Sequence, residues 1–144
     1  MTAHIMKTVT FDFKTSADER GALSVVEGGR DIPFEIKRIY YIYNTGPGIR
    51  RGCHAHRSLK QVLICMKGSC KILLDNGTER QEVPMDRPGR GLFIDEMTWR
   101  EMYDFSADCV VTVLASAHYD ENDYIRNYAD FTKAVGRLRD NRSK

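Results

Sequence analysis

The residues with the clearest chemical potential are two histidines one position apart, His54 and His56. Side chains on an extended strand alternate between its two faces, so both imidazoles are expected on the same side. Imidazole nitrogens bind metals, and they also transfer protons near neutral pH. The pair therefore predicts either half of a metal site or a proton-transfer site, and residues further along the chain decide between the two.

The spacing beyond the pair resembles the first motif of the cupin superfamily, whose members are small jelly-roll barrels. That motif contains a glycine, the His-x-His pair, a glutamate and a final glycine, and the matching positions here are Gly52, His54, His56, Gln61 and Gly68. Cupins complete the metal site with a histidine from a later strand. The resemblance places Gln61 where the glutamate belongs and Arg100 where the later histidine belongs.

Both replacements disfavour a metal ion. A neutral amide is a poor ligand for a transition metal, and the permanently charged guanidinium of Arg100 repels a cation. Cys53 is a poor third ligand because alternation turns it away from the histidine face. We therefore predict a site without metal or other cofactor, in which His54 and His56 act as acid and base with ordinary pKa values near ~6.5. A metal-dependent cupin remains an alternative.

Arginines near the histidines predict an anionic ligand. Arg38, Arg51 and Arg100 lie on predicted strands or at their ends, and a guanidinium fork fits the paired oxygens of a phosphate. Alternation puts Tyr40 on the same face as Arg38, and Tyr41 on the opposite face. We assign Tyr40 to the ligand face, with the opposite phase left open.

These side chains require a β-scaffold. Val9, Phe11 and Phe13 alternate with polar residues, and short strands are also predicted at 22–27, 34–43, 61–66, 69–75, 91–94, 98–103 and 109–115. The Asn76-Gly77 pair predicts a hairpin turn. Strands that recur about every ten residues without intervening helices favour a sandwich or barrel.

Only the end of the chain has a helical period. Its apolar residues, Tyr124, Tyr128, Phe131, Val135 and Leu138, fall on one helical face, and the acidic segment 120–123 is expected to cap that helix. The predicted fold is all-β: a cupin jelly-roll β-barrel with a short C-terminal α-helix, in which residues 1–144 form a single domain.

Composition narrows the function classes. The chain has 42% hydrophobic and 29% charged residues and a net charge of +2, which gives no electrostatic reason to expect nucleic acid or a membrane surface as partner. No apolar run approaches the ~20 residues of a membrane-spanning helix, and residues 1–7 lack the apolar core of a signal peptide. We predict a cytoplasmic protein whose four cysteines are reduced and mostly packed.

Beyond the cupin motif, the chain is similar to the cupin-type sugar-nucleotide 3,4-ketoisomerases of the FdtA and QdtA kind, the WxcM-like family. The similarity rests on segments 31–34, 36–42, 51–56, 61–65, 68–69, 99–105, 114–116 and 119–126. It implies a metal-independent isomerase that acts on dTDP-4-keto-6-deoxyglucose. It also implies a homodimer in which the protomers exchange an N-terminal strand.

The chemistry that the resemblance implies is a tautomerisation. The C4 ketone acidifies the C3 hydrogen, a base removes it to give an enediol or enediolate, and a proton returned to C4 leaves the ketone at C3. His54 would carry the proton between the carbons and His56 would serve the oxygens, or the roles would be reversed. The implied substrate contacts are Arg20, Arg38, Tyr40, Arg51, Gln61 and Arg100.

Product configuration at C4 differs within this family. Arg100 is typical of members that form the gluco product, whereas Arg20 is typical of those that form the galacto product; we favour gluco because Arg100 is expected nearer the chemistry. The product would be transaminated and acylated for a cell-surface glycan. Two other readings stay open: a non-catalytic cupin module that binds a sugar nucleotide, and a dTDP-sugar 3,5-epimerase.

Overall fold

The computed structural model describes residues 6–143, so most of the N-terminal segment used to argue against a signal peptide lies outside the described residues. The strands are β1 Val9–Asp12, β2 Lys14–Asp18, β3 Gly21–Val25, β4 Arg38–Ile42, β5 Arg51–His56, β6 Gln61–Lys67, β7 Cys70–Asp75, β8 Arg80–Met85, β9 Arg90–Ile94, β10 Trp99–Tyr103, β11 Val110–Ala115 and β12 Tyr124–Ile125. A 3₁₀ turn at Glu121–Asp123 precedes β12, and the helix α1 follows at Tyr128–Arg142.

Two five-stranded antiparallel sheets form the body of the protein. One has the order β1-β9-β6-β11-β4 and the other has the order β12-β5-β10-β7-β8. Alternate residues of both sheets point into a shared apolar core, to which Leu63 and Val113 contribute from the first sheet and Ile72 and Met102 from the second. The prediction of an all-β jelly roll with a C-terminal helix is confirmed.

The helix α1 covers the outer face of the second sheet. Phe131 and Val135 are buried against Ala55 of β5 and Trp99 of β10. The helix therefore packs on the face of β5 opposite to the one that carries the two histidines. The side chain of Asn127 caps the helix by accepting a hydrogen bond from the backbone N–H of Asp130. Within residues 6–143, no helix is long and apolar enough to cross a membrane.

The predicted start of this helix was wrong. Tyr124 and Ile125 pair as a short strand with His56 and Ala55 of β5, so the chain cannot become helical until after Asn127. The acidic segment does not cap α1. It forms the separate 3₁₀ turn, whose own cap is the side chain of Asp120.

Most predicted strands are present, but β2 and β8 were missed, as was the short β12. Every residue of β2 is exposed, so this strand lacks the alternation by which strands are predicted. The strand β8 lies at the edge of its sheet and contains Pro84, which weakened its pattern. The strand predicted at 34–43 is shorter, because Ile32 and Phe34 lie in a loop that packs on the outer face of the first sheet.

Candidate active site

The strand β5, which carries both histidines, contains a β-bulge. Arg100 pairs with His54, but the next residue of β10, Glu101, pairs with Gly52, so Cys53 is an extra residue in β5. Gly52 and Cys53 both have positive φ, at 83° and 51°. The side chain of Cys53 packs with the cluster under α1, as alternation predicted, while His54 faces the opposite side.

The two imidazoles are in direct contact. Their ring centroids are 4.9 Å apart and their planes are nearly perpendicular, at 88°. Nδ1 of His54 lies 2.8 Å from the carbonyl oxygen of Gly52, and Nδ1 of His56 lies 3.1 Å from Oδ2 of Asp123. Both oxygens are acceptors, so in each neutral ring the proton is assigned to Nδ1 and Nε2 is left as a proton acceptor.

The Nε2 atoms of both histidines are buried and have no hydrogen-bond partner among the described residues. An unpartnered buried polar atom is costly, and functional sites are where proteins retain one. The arrangement therefore leaves two proton acceptors side by side for a ligand to engage.

Burial keeps both rings neutral. The pKa of His54 is lowered from 6.5 to about 4, first by burial and then by the charge of Arg100. The pKa of His56 is also lowered, by burial and then by Arg100 and His54, against the opposing effect of Asp123. At pH 7 both imidazoles are consequently in the form that accepts a proton.

A buried polar chain lies behind the histidines. The guanidinium of Arg100 donates to Oε1 of Gln61, and its Nε and Nη2 donate to the carbonyl oxygen of Thr98 at 3.3 and 3.1 Å. Nε2 of Gln61 donates to the hydroxyl of Tyr40 at 2.9 Å. Burial lowers the pKa of Arg100 to about 10, so the guanidinium stays charged at neutral pH.

An open cleft of about 410 Å³ lies in front of the histidines. The predicted residues Arg38, Tyr40, Arg51 and His54 line it. His56 is only 1% exposed and lies next to His54 rather than on the wall. In β4, Tyr40 is half-buried and bonded to Gln61, whereas Tyr41 is 63% exposed, and both side chains border the cleft.

Three predicted contact residues lie away from the cleft wall. Gln61 and Arg100 are 0% and 2% exposed and support Tyr40 and the histidines from behind. Arg20 lies at the turn of the β2–β3 hairpin, where its guanidinium pairs with Asp18 at 2.6 Å. The structure thus brings five of the eight predicted residues to the cleft or its edge, places Gln61 and Arg100 directly beneath them, and leaves Arg20 apart.

The segment 119–126 supplies residues that the sequence analysis did not assign. Tyr119, Tyr124 and Arg126 line the cleft, and the Tyr124 ring lies 5.0 Å from the His54 ring and 4.3 Å from the His56 ring. The guanidinium of Arg126 lies over the Tyr124 ring at 4.1 Å and is held by Glu121. The signal available in the sequence is the family resemblance of segment 119–126, to which the sequence analysis assigns no site residue.

The donor set does not suit a transition metal. Gln61 stands in the third ligand position, and its amide oxygen already accepts a hydrogen bond from the Arg100 guanidinium. A cation between the histidines would also lie beside that buried positive charge. These contacts support proton transfer by the imidazoles themselves.

A second cleft, of about 490 Å³, lies at α1 and is lined by Arg57, Met97, Leu138 and Arg139 among others. The histidine pair is not part of its lining. We therefore assign the chemistry to the smaller cleft.

Comparison with known proteins gives a consistent set of relatives. The family described as "FdtA: WxcM-like, C-terminal" matches residues 6–136. A TDP-4-oxo-6-deoxy-alpha-D-glucose-3,4-oxoisomerase from Aneurinibacillus thermoaerophilus is 47% identical over 133 residues, covering 92% of this chain and 96% of the relative.

The similar solved structures include further 3,4-ketoisomerases. A 3,4-ketoisomerase from Helicobacter canadensis is 48% identical, with a TM-score of 0.88 over 91% of this chain and 98% of that chain. The 3,4-ketoisomerase QdtA from Thermoanaerobacterium thermosaccharolyticum, solved in complex with TDP, is 46% identical, with a TM-score of 0.89 over 91% of this chain and 96% of that chain. A mutant of QdtA was solved in complex with TDP-4-keto-6-deoxyglucose.

Proposed function

The chain belongs to the FdtA, WxcM-like family, and from this premise we propose that it is an isomerase, a 3,4-ketoisomerase that acts on TDP-4-keto-6-deoxyglucose. One observation carries the proposal: two adjacent neutral imidazoles present unpartnered Nε2 atoms beside a cleft lined by arginines. A sugar with a C4 ketone needs a proton moved between neighbouring carbons and another between neighbouring oxygens, and this site has two proton carriers.

The reaction balances without a redox cofactor. Nε2 of His54 takes the C3 proton as electrons move toward the C4 oxygen, which gives an enediolate and an imidazolium. The imidazolium returns the proton to C4, and the electron pair of the O3–H bond forms the new C3 ketone. His56 moves or stabilises the proton between O3 and O4. We assign the carbon step to His54 because it lines the cleft, and the reverse assignment is the alternative.

The arginines on the cleft wall supply positive charge for the diphosphate of a nucleotide sugar. Arg38 and Arg51 lie on the cleft wall, and the guanidinium of Arg38 lies 5.4 and 5.6 Å from the ring centroids of Tyr40 and Tyr119. These two aromatic contacts limit the rotation of a long side chain, which reduces the entropy cost of binding phosphate. Tyr40 contacts the hexose in this proposal, and Gln61 and Arg100 act mainly through Tyr40 and the electrostatics of the histidines.

We also propose a homodimer with an exchanged N-terminal segment. The hairpin of β2 and β3 forms a two-stranded sheet of its own, in which Leu23 is 62% exposed. The strand β4 is an edge strand, and its Ile39 and Tyr41 are 58% and 63% exposed. Pairing these surfaces between two copies would bury both, and would allow Arg20 to reach the partner's cleft. Light scattering would test the dimer.

The finer assignments belong to the same proposal. These assignments are a single cupin domain, a cytoplasmic location, the absence of a metal and a gluco product. The gluco product is favoured because Arg100 pairs with His54 across the sheet and bonds to Gln61. The product would then supply a transaminase and an acyltransferase that build a 3-acetamido sugar for a surface glycan.

Proton NMR of TDP-4-keto-6-deoxyglucose incubated with the protein in deuterated water tests the function. We expect the carbonyl to move from C4 to C3, with exchange confined to C3 and C4, and the C4 coupling pattern reports the configuration. Inversion at C3 or C5 with the ketone still at C4 would indicate an epimerase. Binding of TDP without any exchange would indicate a non-catalytic binding module.

A further inference from the structure

Three of the four cysteines converge at a point far from the histidines. Cys65 lies on β6, Cys70 begins β7 and Cys109 directly precedes β11, and each is buried. Their Sγ atoms all lie within 4.8 Å of one another, and the Sγ atoms of Cys65 and Cys109 are 3.9 Å apart. Three sulfurs each about 2.3 Å from one ion are separated by about 3.8–4.0 Å, so the Cys65–Cys109 pair already has the separation of two ligands of one ion, and the Cys70 sulfur lies close enough to join them by a small side-chain shift.

We propose that Cys65, Cys70 and Cys109 form a binding site for a thiophilic divalent cation of the zinc and cadmium type. Three thiols that each release one proton to solvent leave three thiolates, which a divalent ion neutralises to a net charge of −1. A monovalent ion would leave −2 in an apolar core, which is costlier to bury. The ion would have three protein ligands and one further position.

The cluster is separate from the proposed catalytic cleft. Cys65 lies four residues along β6 from Gln61, and Cys70 lies four residues along β7 from Leu74, which pairs with Arg100. At about 3.3 Å per residue, both cysteines are about 13 Å along their strands from the histidine end. Metal binding here would therefore leave the proton-transfer groups untouched.

Two interlocked turns preorganise the three thiols. The backbone N–H of Ser69 donates to Oγ of Ser106 at 2.9 Å, and the backbone N–H of Ser106 donates to the carbonyl oxygen of Ser69 at 2.9 Å. A Cβ at Gly68 would meet Cα of Cys109 at 3.0 Å, so the turns are in close contact. Lys67, Ser69 and Asp108 beside the cysteines are exposed, which gives an ion a short route from solvent.

Cadmium titration of the metal-stripped, reduced full-length chain tests the site through the ultraviolet thiolate-to-cadmium charge-transfer band. We expect saturation at one ion per chain and displacement by Zn²⁺. In Cys70→Ala and Cys109→Ala, the affinity should fall by at least about 100-fold. Cys53→Ala is the matched control and should keep the wild-type titration, because Cys53 packs under α1 instead.

The titration overturns the proposal if the wild-type chain gives no stoichiometric band, if the band persists in Cys70→Ala, or if Cys53→Ala loses it. Circular dichroism melts identify a variant that fails to fold. In that case, X-ray absorption of the zinc-loaded wild-type protein decides: three sulfur neighbours support the site, and a shell of nitrogen and oxygen refutes it. Zn²⁺ should also raise the melting temperature of the wild-type chain but not of Cys109→Ala.

Discussion

Nδ1 of His56 lies 3.1 Å from Oδ2 of Asp123, which is 67 positions later in the chain. The other oxygen of this carboxylate accepts hydrogen bonds from the backbone N–H of Ser58 at 2.9 Å and from its hydroxyl at 2.8 Å. His54 has no such carboxylate and contacts the carbonyl oxygen of Gly52 instead. The two rings therefore share one tautomer, but among residues 6–143 only His56 has a carboxylate in hydrogen-bond contact, whereas the charge of Glu121 acts on His54 without such a contact.

We expect Asp123→Ala to lower kcat by about 10- to 100-fold with little change in the affinity for TDP, because the carboxylate orients His56 and fixes its proton on Nδ1. Steady-state kinetics and calorimetric TDP titration measure the two effects separately. The matched control is Ser58→Ala, which removes one hydrogen bond from the same carboxylate but leaves its contact with His56. Equal losses of kcat in the two variants would refute the orienting role.

The two histidines should be required for turnover but not for nucleotide binding. We expect His54→Asn and His56→Asn each to reduce kcat by at least about 100-fold, the scale of a lost general base, while TDP still binds. Single-turnover NMR in deuterated water separates the roles: the variant that lacks the carbon base should lose exchange at C3. Unchanged turnover in His54→Asn would remove its assignment.

Local patterns predicted the side chains that share a strand, and missed those brought in by tertiary contacts. Alternation along β4 and β5 grouped Arg38 with Tyr40 and His54 with His56, but it left open which face of β4 meets the ligand, and Tyr41 also borders the cleft. Asp123 was missed because its position depends on a 3₁₀ turn and a two-residue strand that have no periodic signal of their own. The cupin register placed Gln61 and Arg100 beside the histidines, but only the structure shows that they bond to each other.

Arg38 should contribute to nucleotide affinity through its planar fork. We expect Arg38→Lys to weaken TDP binding by about 10- to 100-fold, because lysine cannot make the bidentate contact and does not reproduce the contacts of the guanidinium with Tyr40 and Tyr119. Isothermal titration calorimetry measures the change. The matched control is Arg30→Lys, since Arg30 is exposed and pairs only loosely with Glu27 at 3.8 Å. Similar affinities in both variants would contradict a phosphate contact at Arg38.

The lowered pKa of His54 should make the protein less stable in acid. Between pH 6.5 and about 4 the unfolded chain binds a proton at this position that the folded chain does not bind. Its contribution to stability is thus fully present above pH 6.5 and is lost as the pH falls. From pH 7.5 to 5 the loss at this group is about 2 kcal/mol.

Urea unfolding at pH 7.5 and at pH 5 tests whether the free energy of unfolding falls as the pH falls. His54→Asn should lose about 2 kcal/mol less than the wild-type chain over this interval, because the titration of His54 is removed and groups distant from this residue cancel in the difference. Parallel losses in the two proteins would show that His54 titrates alike in the folded and unfolded chains.

Restoring the cupin ligand set should turn the histidine site into a metal site. The double variant Gln61→Glu/Arg100→His would have three imidazoles and one carboxylate close together. Arg100 pairs with His54 across the sheet and bonds to Gln61, so both new side chains would lie beside the histidine pair. We expect the double variant to bind one Mn²⁺ at least about 10-fold more tightly than Gln61→Glu alone, in which the Arg100 guanidinium still repels the cation. Mn²⁺ is the suitable probe because the thiol cluster favours softer ions. Electron paramagnetic resonance counts the bound ion. Equal Mn²⁺ affinity in the single and double variants would mean that the charge of Arg100 does not keep metal out of this site.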